Sequence, residues 1–409
     1  MRLLKIGVYY PAYLEQFYAG RPDLASSPYA AQHAALMHDS FGSSDFWTQA
    51  LNALGYETCD LVANAEPLQR AWAAEHGFAF DERDWLFTVT ATQIEAFRPE
   101  VLLVADYTTV TAAFIRHLRE RCPSIRLVLG WCGAPYSDGS VFRECDLVLS
   151  CVPELVAHFE ENGHRSRHVN HAFDRRVLER LGAAAAPPAD FVFIGSIVKS
   201  HRFHNEREAI LLKLAEETNL EIWSNVSAKE APANGYGRLG ARAARLASLP
   251  LLGGVASRAS RLMRGRPGAT VRESAAESVD ERIARRSRLP LFGLEMFRQL
   301  RAGRVALNTH IDISPVSASN MRLFEATGVG TCLLTDGKAN LPQLFEPDAE
   351  VVTYRDAAEC VEKVRYLLGH EAERRRIADA GQRRTLRDHT FADRASRIDA
   401  VIRETLSNV

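Results

Sequence analysis

Short apolar runs rich in Val, Leu and Ile recur along the chain, with helix-length amphipathic stretches between them. Leu3 to Tyr10, Glu57 to Val62, Val101 to Ala105, Arg126 to Gly130 and Asp146 to Ser150 read as strands. Asp45 to Leu54, closed by Gly55, and Thr111 to Arg121 and Glu154 to Asn162 read as helices. Strands without polar alternation, separated by helices, predict a parallel sheet covered on both faces. Between the first strand and the first helix, Pro11 to Asp45 reads as a long aromatic and polar loop carrying Tyr13, Phe17, Tyr18, Tyr29, His33 and His38.

Leu181 to Pro188, LGAAAAPP, reads as a linker, because Ala-rich sequence ending in Pro-Pro does not continue a helix. A second series follows: strand Asp190 to Ile194, helix Glu206 to Glu217, strand Leu220 to Ser224, helix Leu294 to Ala302, and strand Val351 to Tyr354. Asp356 with Glu359 opens a further helix in the manner of a capping box. Two domains are predicted, 1–180 and 189–385, with a terminal helix over 386–409 packing back on the first.

The stretch Val305 to Asp336 is the most informative. It reads as strand, polar loop, short helix, Gly turn and strand, with Ser317 or Ser319 capping a helix through Met321 to Thr327 and Gly328 ending it in the left-handed conformation. Such a helix N-terminus suits a phosphate. Asn320, Arg322 and Glu325 are polar residues that a helix between buried strands does not need for packing.

Composition narrows the function classes. The chain has 409 residues, 46% hydrophobic and 25% charged, with a formal net charge of −1, which argues against wholesale nucleic-acid binding. Seven cysteines form no CxxC pair, and a reduced, cytoplasmic setting is expected. MRLLKIGVYYPAY is a first strand rather than a signal peptide, and no run is long enough to span a membrane. Ala228 to Ser287 breaks the α/β alternation. Arg238 to Arg288 holds twelve Arg and four acidic residues, and Arg238, Arg242 and Arg245, like Arg258, Arg261 and Arg264, recur at helical spacing. That insertion reads as a mobile, solvated lid or partly disordered loop, as a basic element lying on an anionic membrane surface, or as a contact for a protein partner.

ALNTHIDIS, NMRLFEATGVGTCLLTD, LPQLFEPDAEVVTYRD and IADAGQRRTLRDHTF, with VNHAFD and FVFIGSIVKSHRFHNERE before them, resemble the GT-B glycosyltransferases, and within them the CgeB-like, group 1 branch. The resemblance implies an α/β fold of two Rossmann-like doubly wound domains facing a cleft, with a C-terminal helix crossing back to the first domain. It implies a nucleotide-sugar donor held by the second domain, a polysaccharide or lipid-linked glycan acceptor held by the first, and no cofactor. It also puts Glu325 on the donor's ribose hydroxyls, since a carboxylate accepts two hydrogen bonds from a diol. Related enzymes often carry a second glutamate eight positions earlier, and here that position is Ser317. Gly195-Ser196-Ile197-Val198-Lys199 resembles the turn that opens the donor domain, where Gly admits a diphosphate and Lys199, Arg202 or Arg322 would meet its charge.

Of the histidines, His201 and His204 lack a third partner at metal spacing, so no metal is expected. His171 and Asp174 fall at the predicted hinge, and His201 beside the donor turn. His310 and Asp312 fall just past a strand's carboxyl end, where α/β sheets bind ligands. If the reaction inverts, a base is expected from Asp45, His38, His33 or Asp106. Asp45 also reads as a helix N-cap and Asp106 as a turn residue. The aromatic loop reads either as a sugar-stacking surface or as a small satellite core. A nucleotide-sugar epimerase and a noncatalytic sugar-binding protein remain as alternative functions for the same fold.

Overall fold

The computed structural model describes residues 1–183, 186–198, 203–226 and 279–407. The first sheet comprises β1 (Arg2–Gly7), β2 (Glu57–Val62), β3 (Val101–Val104), β4 (Leu127–Trp131), β5 (Leu147–Ser150) and β6 (Ser166–His168), in the order β2-β1-β3-β4-β5-β6. The second comprises β7 (Ala189–Ile194), β8 (Leu220–Trp223), β9 (Ser287–Arg288), β10 (Gly303–Asn308), β11 (Cys332–Asp336) and β12 (Val352–Tyr354), in the order β12-β11-β10-β7-β8-β9. All strand pairs are parallel.

The continuous apolar runs have a direct physical cause. Leu3, Val101, Leu103, Leu127 and Leu129 enter one core, while their neighbours Leu4, Leu102, Val104 and Val128 enter another on the opposite face. The first of these cores is shared. It continues into the second domain through Val192, Ile194, Ala306 and Leu333.

The chain crosses between domains at two adjacent places. Phe173 N–H donates to His389 O at 2.9 Å and Phe391 N–H donates to Phe173 O at 3.2 Å, a short parallel bridge between the outgoing and returning segments. Phe173 also sits against Gly328, where a Cβ would run into its ring. The last helix, Phe391–Ser407, lies on the helix Phe46–Asn52 of the first domain, with Phe391 4.8 Å from Trp47 between ring centroids. Tyr56 OH donates to Asp399 Oδ1 at 2.7 Å.

Several local expectations are corrected. Pro11 to Asp45 is no loop: it holds the helices Pro11–Ala19 and Tyr29–His38 and a 3-10 turn, Pro22–Ser26, because Pro at the first helical position starts rather than stops a helix. Its aromatics form a satellite core, with Tyr13 stacked on Phe41 at 3.9 Å and Phe292 of the second domain edge-on to both. The helix over the key stretch is Arg322–Gly328, preceded by Met321 with no side-chain cap. Ser317 and Ser319 are instead tied to Ser314. Gly330, at φ +85°, supplies the left-handed turn, while Gly328 serves close packing. The Arg-rich insertion reads from the sequence as 228–287, but its last part is built into the fold. The helix Glu281–Arg286 buries Ile283 and leads into β9. Residues 227–278 lie outside the described residues.

Candidate functional site

Each sheet has one place where the strand order reverses, and α/β sheets bind ligands in the crevice beyond the carboxyl ends at that place. In the first sheet it falls between β1 and β3, and in the second between β7 and β10. The second crevice is therefore flanked by Gly195-Ser196 after β7 and by Thr309-His310 after β10.

Arg207, in the first turn of the helix Asn205–Glu217, spans this crevice. Its Nη1 donates to Ser196 O at 2.6 Å, its Nη2 to Thr309 O at 2.7 Å and its Nε to Thr309 Oγ1 at 2.6 Å. Burial pushes its pKa down to about 10, with Asp336 and Asp312 acting the other way. A guanidinium is suited to this because its fork satisfies several carbonyls at once. Sequence reasoning missed Arg207. An Arg in a first helical turn ordinarily reads as surface, and only the strand order reveals what lies beside it.

His310 is a buried group bound on one side only. Its Nδ1 lies 2.7 Å from Asp336 Oδ1 and its backbone N–H also donates to that carboxylate, while Nε2 is buried without a partner among the described residues. Burial acts to raise the Asp336 pKa, but His310 and Lys338, whose Nζ is 3.2 Å away, together hold it well below the usual carboxylate range. Asp312 accepts from Asn205 N and Nδ2 at 2.9 Å through Oδ2, and its Oδ1 is likewise buried and unpartnered. Asn320 and Asn308 exchange amide hydrogen bonds at 2.7 and 3.2 Å, and Asn320 Nδ2 also donates to Thr309 O. Glu325 is buried and pairs with Arg322 at 2.8 Å. Burial raises its pKa, and Arg322 opposes that shift. Arg322 is thus engaged within its own helix.

Other predicted residues serve different parts of the molecule. Asp45 makes no cap; Arg176 grips both its oxygens at 3.1 Å and also takes Asp174 at 2.7 Å, with Arg180 3.8 Å from Asp45. This ion cluster fastens the linker helix Arg176–Leu181 to the first domain. Asp106 accepts from Thr109 N at 2.7 Å and Thr108 Oγ1 at 2.8 Å, closing the turn after β3. His171 faces Trp131 at 5.4 Å, and burial, with Arg394 nearby, pushes its pKa down to about 4. His204 accepts from Val198 N at 3.0 Å and is likewise pushed down to about 3, so it is a structural imidazole. His33 bonds Asp60 O at 2.8 Å. Lys199, His201 and Arg202 lie outside the described residues.

The loop after β10 reaches across the cleft. Ile313 joins the first domain's core that also holds Phe142 and Phe159, and Val316 N–H donates to Glu154 Oε1 at 3.4 Å. Glu154 Oε2 and Asn170 Oδ1, which follow the carboxyl ends of β5 and β6, are also buried without partners among the described residues.

Residues 267–400 match the model of a family described as glycosyl transferase-like. No curated protein matches the sequence. Three solved structures superpose along the whole chain. Sucrose-phosphate synthase of Thermosynechococcus elongatus is 10% identical and covers 100% of both chains at a TM-score of 0.54. HepE of Anabaena, in complex with UDP-glucose, is 10% identical and covers 100% of both at 0.52. A glycosyltransferase from Rickettsia africae is 7% identical and covers 100% of this chain and 99% of its own at 0.50. At such identities the likeness is one of fold, the two-sheet GT-B arrangement.

Proposed function

We propose that this chain, a glycosyltransferase of the GT-B fold, moves a sugar from a nucleotide diphosphate donor to a polysaccharide or lipid-linked glycan. The observation that carries this reading is the crevice between β7 and β10, where His310 Nε2 and Asp312 Oδ1 are buried without a hydrogen-bond partner among the described residues. A buried polar atom without a partner costs about 1–3 kcal/mol, which a ligand's polar groups would recover.

In this reading the donor's diphosphate lies beside Gly195-Ser196, its ribose diol bonds Glu325, and its sugar faces His310 and Asp312. An acceptor hydroxyl attacks the anomeric carbon, and its proton passes to the departing diphosphate oxygen. The bond from that carbon to the diphosphate oxygen breaks, and the electron pair leaves with the nucleoside diphosphate. Asp336 fixes His310 so that Nε2 is directed away from it. His310 then faces the leaving oxygen, and Arg322, Lys199 and Arg202 are the cationic groups, drawn from the sequence, that would meet the charge gathering there. Asp45 and Asp106 are occupied by Arg176 and by the β3 turn, so neither is favoured as the base.

The test is calorimetric titration with UDP-, GDP- and dTDP-sugars. Glu325→Ala is expected to weaken the donor that binds by about 1–3 kcal/mol, and unchanged affinity would remove Glu325 from the site. If no sugar nucleotide shifts the melting temperature or is turned over, the reading fails. No helix among the described residues is long and apolar enough to cross a membrane. For the Arg-rich insertion we propose contact with an anionic membrane surface. Removing 228–278 should lower sedimentation with anionic vesicles while leaving nucleotide binding intact, and equal sedimentation by both forms would exclude it.

A further inference from the structure

We infer that the first domain's side of the cleft is built for a neutral, hydroxyl-rich saccharide and selects against a phosphorylated one. This rests on the glycosyltransfer reading for its meaning, though its binding test does not. Two observations lead to it. The first is the pair of unpartnered atoms. Glu154 Oε2 and Asn170 Oδ1 are hydrogen-bond acceptors buried beyond β5 and β6, and among the described residues what they lack is a donor. Sugar hydroxyls donate, whereas a phosphate dianion only accepts and would face the Glu154 carboxylate as a like charge. β5 and β6 are paired neighbours with Ser150 opposite His168, which places the two strand ends side by side.

The second observation is the lining of the neighbouring strand ends. The loops after β1, β3, β4, β5 and β6, residues 8–10, 105–111, 132–139, 151–152 and 169–172, contain no Lys or Arg, and all are among the described residues. What they do carry is aromatic. Tyr10 is 49% exposed and lies 5.5 Å from Phe41 between ring centroids. Tyr107 lies 6.3 Å from Tyr136 between ring centroids, and Tyr10 and Tyr107 follow β1 and β3, the two strands that flank the first sheet's crevice. Trp131 and His171 continue the rim. Burial, with Arg394 nearby, keeps His171 uncharged at neutral pH. Aromatic faces stack on the C–H faces of a pyranose, and carboxylate and amide oxygens then take its hydroxyls. A phosphate-reading site would instead need a cationic fork.

Saturation-transfer NMR without nucleotide tests the inference, using glucose, galactose, N-acetylglucosamine, cellobiose and maltose beside the 6-phosphates of the first three. At least one neutral sugar should respond, and each 6-phosphate should bind about tenfold or more weakly than its parent. With a working donor, Glu154→Gln and Asn170→Ala should each raise the acceptor KM about ten- to hundredfold, with nucleotide affinity and melting temperature close to those of the parent. Tighter binding of any 6-phosphate than of its parent sugar, or an acceptor KM unmoved by both variants, overturns the inference. No response to any neutral sugar also overturns it. Failure of every sugar nucleotide to bind, with neutral sugars still responding, would sink only the donor reading.

Discussion

The two faces of the cleft are wound alike and furnished differently. Beyond the second sheet lie Arg207, Asp312, Asp336, Lys338, Arg322 and Glu325, charged groups that largely neutralise one another and, among the described residues, leave His310 Nε2 and one Asp312 oxygen unpaired. Beyond the first sheet lie Tyr10, Tyr107, Trp131 and Tyr136, with acceptors on Glu154 and Asn170 that find no partner among the described residues. The difference fits one partner whose phosphates need charge and another whose ring and hydroxyls do not. Parallel sheets with the same handed crossovers impose no such division. It is carried by side chains in the loops.

The severest way to break the comparison is Arg207→Met, which leaves Ser196 O and Thr309 O buried without their donor. A loss of about 3–5 kcal/mol is expected in chemical unfolding, together with loss of nucleotide binding and little change in sugar binding by the first domain. Next is acid. His389 is buried, its Nε2 donates to Leu344 O and its Nδ1 accepts from Arg394 at 2.8 Å. Burial, with Arg394 and Arg384 also acting and the Leu344 bond opposing, pushes its pKa down to about 4. The unfolded chain protonates near 6.5, so the stability tied to the neutral ring is complete above that value and is lost as pH falls towards 4. At pH 5 the loss is about 2 kcal/mol. His389→Gln should flatten the fall in melting temperature between pH 7 and pH 5, and an unchanged slope would count against the assignment. Asp336→Asn should reduce turnover about ten- to hundredfold, the scale of one lost charge-assisted contact, while acceptor KM stays put. The smallest effect is expected for Tyr10→Ala. Half exposed, it should change stability by no more than about 0.5 kcal/mol, and a weakened neutral-sugar response with unaltered nucleotide affinity would sharpen the contrast.

The strands were legible because burial on both faces leaves uninterrupted apolar runs. Glu57–Val62 is found at the boundaries its sequence suggests. The helices within Pro11 to Asp45 were not, since Tyr13, Phe17, Leu36 and Met37 pack in a small core shared with Phe292 from far along the chain. Glu325, Asn320 and His310 stood out as polar residues in apolar surroundings. Arg207 did not, because its partners come from strands brought together only by the crossover order. For the same reason the grip of Arg176 on Asp45, 131 residues earlier, had no local signal.

The last helix has a consequence for the order in which the molecule can assemble. Phe391 is buried against Phe46 and Trp47, and Tyr56 bonds Asp399 across 343 residues of sequence. The first domain's core is therefore completed by the end of the chain, and a nascent first domain emerges from the ribosome with that apolar seam still open. Closing it requires contacts that span most of the chain, the kind that form late.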